Sequence, residues 1–277
     1  MVVHRPRSVD DALRLMTRFP DAVPLAGGTD FMVAWNAGEA NHRAIVDLAG
    51  LETLRETRVI ENGVRLGALL THRRAQEETT VAKKLPLLRA ACATVGGWQI
   101  QARGTIGGNL ANASPAGDTF PPLAVCEAVV NIASAEASRS VPLLDFFTGV
   151  KKTVLRTSEL ILSVDVPVAK RPSRQLFRKV GTRAASAISK TVVSGLLWLD
   201  GNKRVRELRF ALGSMAPTVR RARAVEELVR GERLTKAVVE QALACLDDDV
   251  APIDDLRSTR EYRLTVSKNL LRDFLTP

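Results

Sequence analysis

Apolar residues recur along this chain at two different periods, and the shifts between them mark out three stretches. In the first, roughly residues 1–55, Ser8 stands as a helix N-cap before Val9–Arg18, with Asp10 and Asp11 in the first turn, where carboxylates meet the positive end of the helix dipole. Pro20 lies just past that helix. A short apolar run, Ala22–Ala26, then enters Gly27-Gly28-Thr29-Asp30. A helix over Phe31–Ala37 stops at Gly38, and Ala44–Asp47 reads as a second buried strand. Helix, strand, glycine loop, helix and strand in that order predict a small α/β unit.

In the second stretch, roughly 56–167, Arg58–Ile60 and Val64–Leu66 flank Glu61-Asn62-Gly63 as a hairpin. Helices are expected over Arg73–Thr80 and Lys83–Val95. Gly104–Pro122, rich in Gly, Asn, Ser and Pro, reads as irregular, and strands follow around Ala128–Ala133 and Leu160–Val166. In the third stretch, 168–277, strands are expected at Gln175–Lys179, Val192–Leu199 and Arg204–Leu212, with a turn at Gly201-Asn202. Amphipathic helices are expected at Ala222–Val229, Lys236–Cys245 and Tyr262–Phe274. Strands followed by helices predict an antiparallel sheet covered on one face.

Composition narrows the choice of function. With 45% hydrophobic residues in 277, the chain can build a sizeable core. It has no run of about 20 uncharged apolar residues, so no membrane span is expected. The first ten residues carry His4, Arg5, Arg7 and Asp10 in place of a signal-peptide core, which points to the cytoplasm. The three cysteines, Cys92, Cys126 and Cys245, are far apart. An iron–sulfur cluster or a structural zinc takes about four ligands at short spacing, so neither is expected in this chain, and the thiols read as buried or partly buried. The net charge of +10 raises the question of nucleic acid, but with 4% aromatics there is no stacking platform, and an anionic cofactor or an acidic partner suits the charge better. His4, His42 and His72 have no evident partner in sequence and read as solvated or satisfied in the core.

Two features rise above this background. One is Leu25-Ala26-Gly27-Gly28-Thr29-Asp30, at the end of an apolar strand. The other is Thr105-Ile106-Gly107-Gly108-Asn109-Leu110, leading into Ala113-Ser114-Pro115-Ala116-Gly117-Asp118. Taken singly, each glycine pair is a turn or a phosphate loop. Taken together, they offer main-chain amides on two sides of an anionic ligand, with a helix dipole behind the first, and Asp118 suited to sugar hydroxyls. Neither matches the Rossmann or Walker spacing.

Pro24–Asp30 and the sixteen residues Arg103–Asp118 resemble the two FAD segments of the flavin subunits of molybdenum hydroxylases, the xanthine dehydrogenase and carbon monoxide dehydrogenase type. Glu159–Val164, Phe177–Gly181, Leu212–Thr218 and Tyr262-Arg263 extend the resemblance over nearly the whole chain. It implies an α+β protein with the FAD-binding fold shared with vanillyl-alcohol oxidase: two α/β subdomains (1–55 and 56–167) and a C-terminal α+β domain (168–277) with an antiparallel sheet and helices. FAD would be held by Leu25, Ala26, Gly27, Gly28, Thr29 and Asp30 on one side and by Thr105, Gly107, Gly108 and Asn109 on the other, with Ser114 nearby. Asp118 would meet its sugar part, Phe31 and Arg178 would lie near the isoalloxazine, and Ile161 would support the cofactor. Molybdopterin and 2Fe-2S clusters would belong to a large and a small partner subunit, in a dimer of heterotrimers. The chain departs from the family at Gln101-Ala102, where relatives often have Arg-Asn, and at Ala184-Ala185-Ser186-Ala187, where they often carry acidic residues. The implied function is electron transfer through FAD from the partner's clusters to an external acceptor. The alternatives are a self-contained FAD oxidase or reductase on the same fold, and an assembly module that has lost FAD.

Overall fold

The structure, a computed structural model, describes residues 1–39 and 44–276; His42 lies outside them. The N-terminal unit runs β1 (Val2–His4), α1 (Val9–Arg18), β2 (Val23–Leu25), α2 (Thr29–Asn36) and β3 (Ala44–Asp47). Its strands form a parallel sheet in the order β1-β3-β2. Ser8 Oγ accepts the Asp11 amide, so α1 starts at the residue its cap dictates. The helix buries Ala12, Leu13 and Met16 against Val46, Leu48 and Leu51.

The middle unit begins, after a short turn at Glu52–Arg55, with the hairpin β4 (Thr57–Ile60) and β5 (Gly63–Gly67). Six short helices follow: α3 (His72–Glu77), α4 (Thr79–Lys84), α5 (Pro86–Cys92), α6 (Trp98–Arg103), α7 (Ile106–Asn112) and α8 (Phe120–Val125). Next come β6 (Val129–Ala133), β7 (Ser138–Pro142), α9 (Leu143–Phe146), the small pair β8 (Phe147–Gly149) and β9 (Lys152–Thr153), and β10 (Leu160–Pro167). The five-stranded sheet is antiparallel, ordered β4-β5-β10-β6-β7.

Two expectations for this unit are corrected. The helical pattern over 73–95 is three helices, not two, because Pro86 can only open a helix and so restarts the chain at α5. The stretch 104–122, expected to be irregular, contains α7 and the first turn of α8. Thr105 Oγ1 caps α7 by accepting the Gly108 amide, and the buried residues Ile106, Leu110, Phe120 and Leu123 fix both helices to the core. Burial outweighs the poor helix propensity of the Gly-Gly pair, a deficit of about 1 kcal/mol per glycine.

The C-terminal unit is an antiparallel sheet of β11 (Arg174–Val180), β12 (Thr191–Leu199), β13 (Val205–Gly213) and β14 (Arg220–Arg221), followed by α10 (Arg223–Val229), α11 (Lys236–Asp249) and α12 (Arg260–Leu275). The sheet is covered on both faces, not one. Val193 and Leu197 of β12 pack with Val239, Leu243 and Phe274 of the helices. Leu196 and Trp198 join the core of the middle unit with Phe120 and Leu123 of α8. Cys92 and Cys126 are buried, and burial pushes both thiols up to about 12.

A buried ion pair ties β14 to α10. Arg221 Nε and Nη2 donate to Glu226 Oε1 and Oε2 at 2.6 and 2.8 Å, and Oε1 also accepts the Phe210 amide at 2.9 Å. Replacing Glu226 by Ala strands a buried guanidinium and a buried N–H, so chemical denaturation of Glu226→Ala is expected to show a loss of about 3–5 kcal/mol. The exposed i,i+4 pair Arg73–Glu77 serves as the control: Glu77→Ala is expected to change stability by no more than about 0.5 kcal/mol.

Candidate functional site

The site begins where β2 ends. The Leu48 amide donates to Leu25 O at 2.9 Å, which completes the parallel ladder and releases the chain at Ala26. Gly27 then lies so close to the second segment that a Cβ on it would sit 2.0 Å from Arg103 O. Gly28, at φ +76°, turns the chain left-handed into α2 and leaves that helix without a side-chain cap. The amides of Gly27, Gly28, Thr29 and Asp30 have no acceptor among the described residues, so a row of main-chain donors and the positive end of α2 face one space.

The second segment is built differently. The Ile106 and Gly107 amides donate to Leu70 O at 2.9 Å and Ala68 O at 2.8 Å, and the Gly108 amide to Thr105 Oγ1 at 3.0 Å. Gly107 packs so tightly on Ala68 that a Cβ would lie 2.7 Å from the alanine methyl. The expected anion nest on this side is therefore absent: the amides hold the segment onto the protein, and what it turns to the ligand is surface and side chains. Thr119 Oγ1 fixes Asn109 by donating to its Oδ1 at 2.6 Å. Asn112 Nδ2 reaches across to Asp30 Oδ1 at 2.9 Å, and Lys151 Nζ donates to Asn112 Oδ1. Gln101 is buried and accepts from Gln76 Nε2 at 3.1 Å while donating to Ala93 O at 3.1 Å.

Between the two lies a cleft of about 590 Å³. Leu25, Ala26, Gly27, Gly28, Thr29, Asp30 and Phe31 line one side, and Thr105, Gly108 and Asn109 the other. Gly107 and Ile161 line an adjoining apolar groove with Leu48, Leu69, Leu155 and Leu160, on the far side of Ala26 and Gly108. Ser114, Asp118 and Arg178 line neither. Ser114 Oγ accepts the Ala116 amide in a turn. Asp118 is 7% exposed and accepts from Lys179 Nζ at 2.6 Å and from Ser189 Oγ. Burial pushes its carboxyl up, against the pull of Lys179. Arg178, the neighbour of Lys179 on β11, is exposed.

Residues 1–169 match the family described as the FAD binding domain in molybdopterin dehydrogenase, and residues 176–277 match the CO dehydrogenase flavoprotein C-terminal domain. The chain belongs to this family of flavin subunits. It is 30% identical over 275 residues to the xanthine dehydrogenase FAD-binding subunit of Escherichia coli O157:H7, covering 99% of this chain and 94% of that one. It is 30% identical over 275 residues to the carbon monoxide dehydrogenase medium chain of Afipia carboxidovorans, covering 97% and 93%. The crystal structure of a cyanide-inactivated Cu,Mo-CO dehydrogenase contains a chain that superposes with a TM-score of 0.93 at 27% identity, covering 99% of this chain and 96% of that one. The α+β fold that the resemblance implied is thus the fold of the family.

Lys151 and His72 are among the cleft residues that the sequence did not single out as ligands. Lys151 sits in the β8–β9 turn, about 120 residues from the first loop in sequence, and nothing local marks it. His72 follows Thr71, a helix cap, and reads as an ordinary first-turn residue. It is neither solvated nor satisfied: it is 2% exposed, and its Nδ1 has no hydrogen-bond partner among the described residues. Burial lowers its pKa from 6.5 to about 4. Between those values the unfolded chain holds a proton that the folded chain does not, so stability rises with pH across that window. Urea unfolding of the ligand-free protein is expected to lose about 3 kcal/mol from pH 6.5 to pH 4 on this account, a slope missing in His72→Gln.

Proposed function

We propose that this chain is the FAD-binding, electron-transferring subunit of a molybdenum hydroxylase. The observation that carries the reading is the contact of Gly27 with Arg103, which sets four unpaired amides and the start of α2 along a cleft shared with the second segment. The residues fit the cofactor. A diphosphate is an anionic, acceptor-only group, and the first loop supplies donors without supplying bulk. The volume of the cleft lies within the range of cofactor pockets.

FAD, when bound, supplies the redox chemistry, accepting and passing on electrons. The chain's residues bind and orient it. Gly27, Gly28, Thr29 and Asp30 would hold the diphosphate through their N–H groups, Thr105, Gly108 and Asn109 would close the other side, Phe31 would lie beside the isoalloxazine, and Gly107 and Ile161 would bound the cofactor on the side of the apolar groove. Ser114 would lie near the cofactor, and Asp118 would meet its sugar part only by giving up its bond to Ser189 or Lys179. No side chain acts as nucleophile or general base. Electrons would reach the flavin from 2Fe-2S clusters held by a small partner, fed by molybdopterin held by a large partner, in a dimer of heterotrimers. The basic charge of +10 gives the chain a long-range attraction for acidic partners. No helix among the described residues is long and apolar enough to cross a membrane, and the free buried thiols suit the cytoplasm.

The test is the visible spectrum of the purified chain. Flavin bands and extractable FAD are expected, along with co-purification of a large and a small companion chain. A colourless preparation that takes up no added FAD sinks the reading; a flavin chain that turns over substrate alone favours the free-standing oxidase. In Gly28→Val the β-branched side chain must leave the left-handed region, at a cost of about 1–3 kcal/mol, so FAD binding is expected to weaken between about fivefold and a hundredfold.

A further inference from the structure

Among the described residues that line the cleft, Lys151 alone is a lysine or arginine. Asp30 and Glu39 line it as carboxylates, and burial holds His72 neutral above about pH 4. A diphosphate adds further negative charge to this space. The main-chain amides of the first loop offer it donors but no net charge, so within the cleft only Lys151 can offset the carboxylates and the ligand together.

The seat of this side chain is a strained one. Gly149 pairs with Lys152 across β8 and β9, which leaves Val150 and Lys151 as the turn, and Lys151 stands there at φ +57°. Its amide donates to Ala113 O at 3.1 Å, which ties the turn to the end of α7. The left-handed region costs a lysine free energy that glycine or asparagine escapes, so a turn with a purely structural task is better served by either. Strain of this kind gathers where a side chain is put to use. From this seat Lys151 Nζ donates to Asn112 Oδ1, and Asn112 Nδ2 donates to Asp30 Oδ1 at 2.9 Å. The three side chains thus run from the β8–β9 turn to the start of α2, where the four unpaired amides stand. An ammonium has three donors and Asn112 takes one. Lys151 is exposed and meets no other acceptor among the described residues, so two N–H groups remain for a ligand.

We propose that the ammonium of Lys151 binds a diphosphate oxygen of FAD, as the cation of a cleft lined otherwise by carboxylates and neutral groups. The inference rests on the FAD reading above. Asn112, fixed at its other end on Asp30, holds the ammonium in place before the cofactor arrives, so little side-chain freedom is lost on binding. Lys151 is thus a cofactor-binding residue contributed by neither glycine segment.

The test uses the full chain, freed of flavin and titrated with FAD by fluorescence quenching, with urea unfolding of each ligand-free variant alongside. Lys151→Gly is expected to unfold at the same or a higher urea concentration than the parent, because glycine takes the left-handed turn without strain. It is nonetheless expected to bind FAD about fivefold to thirtyfold more weakly, as is Lys151→Met, since each loses a charged hydrogen bond to the ligand. Lys151→Arg, which keeps the charge, is expected to stay within about threefold of the parent. The ³¹P signals of bound FAD are expected to shift in Lys151→Met and to return toward the parent positions in Lys151→Arg. Equal affinity and unchanged ³¹P signals in Lys151→Met overturn the inference while leaving the FAD reading intact. A weaker affinity with unmoved ³¹P signals overturns it as well, since the ammonium then serves another part of FAD or the fold alone. A parent chain that takes up no FAD overturns both.

Discussion

The approach of Gly27 to the carbonyl of Arg103 is the contact on which the rest of the site depends. Any side chain at 27 would overlap that carbonyl, so the two walls of the cleft stand at a distance that only a bare Cα allows. Each wall is anchored by its own unit. The first hangs from β2 through the bond of Leu48 to Leu25, and its helix α2 is held by little else: no residue of α2 is buried. The second is pinned to the segment after β5 through Ala68, Leu70 and Thr71, and from below by buried Gln101. One wall is firm and the other lightly held, an arrangement suited to a site that must admit a long cofactor.

The difference in hydrogen bonding between the walls follows from burial. Amides 106 to 108 lie inside the protein, where an unpaired N–H is expensive, and each has found an acceptor. The amides of 27 to 30 border open space, where water or a ligand can satisfy them, so folding leaves them free for binding. Two glycine pairs with similar sequences thus do different work. The first supplies donors. The second, with Gly107 against Ala68, supplies close packing that brings a helix to the cleft edge.

Much of this was legible in the sequence where local physics decides the outcome. The cap at Ser8, the β4–β5 hairpin, the strands β6 and β10 to β13, and the helices α10 to α12 follow from period and turn chemistry. So does the glycine turn after β2. What escaped was set by tertiary contact. Helices α7 and α8 form because Phe120 and Ile106 are needed in the core, against the local preference of Gly, Asn and Pro. The second covered face of the C-terminal sheet was signalled by Val192–Leu199, where Ser194 is the lone polar residue, since a strand with one wet face alternates and this one does not. His72 and Lys151 carry no local mark at all, because each meets the cleft only through the fold.

The Arg178–Lys179 pair shows how narrow the margin is. Adjacent residues on a strand face opposite sides, so a shift of one position decides which cation is inside. Here β11 pairs with β12 so that Lys179 opposes Val192 and turns inward, while Arg178 opposes Val193 and faces out. Lys179 then bonds both Asp118, at the end of the second segment, and Thr94 O, ahead of α6. The C-terminal sheet is in this way fastened to the two ends of the segment that forms the firm wall of the cleft. Ser189 Oγ donates to the same carboxylate, and Ser214 Oγ to Ser189 O, so Asp118 is held from the loops of the sheet as well as from its strand.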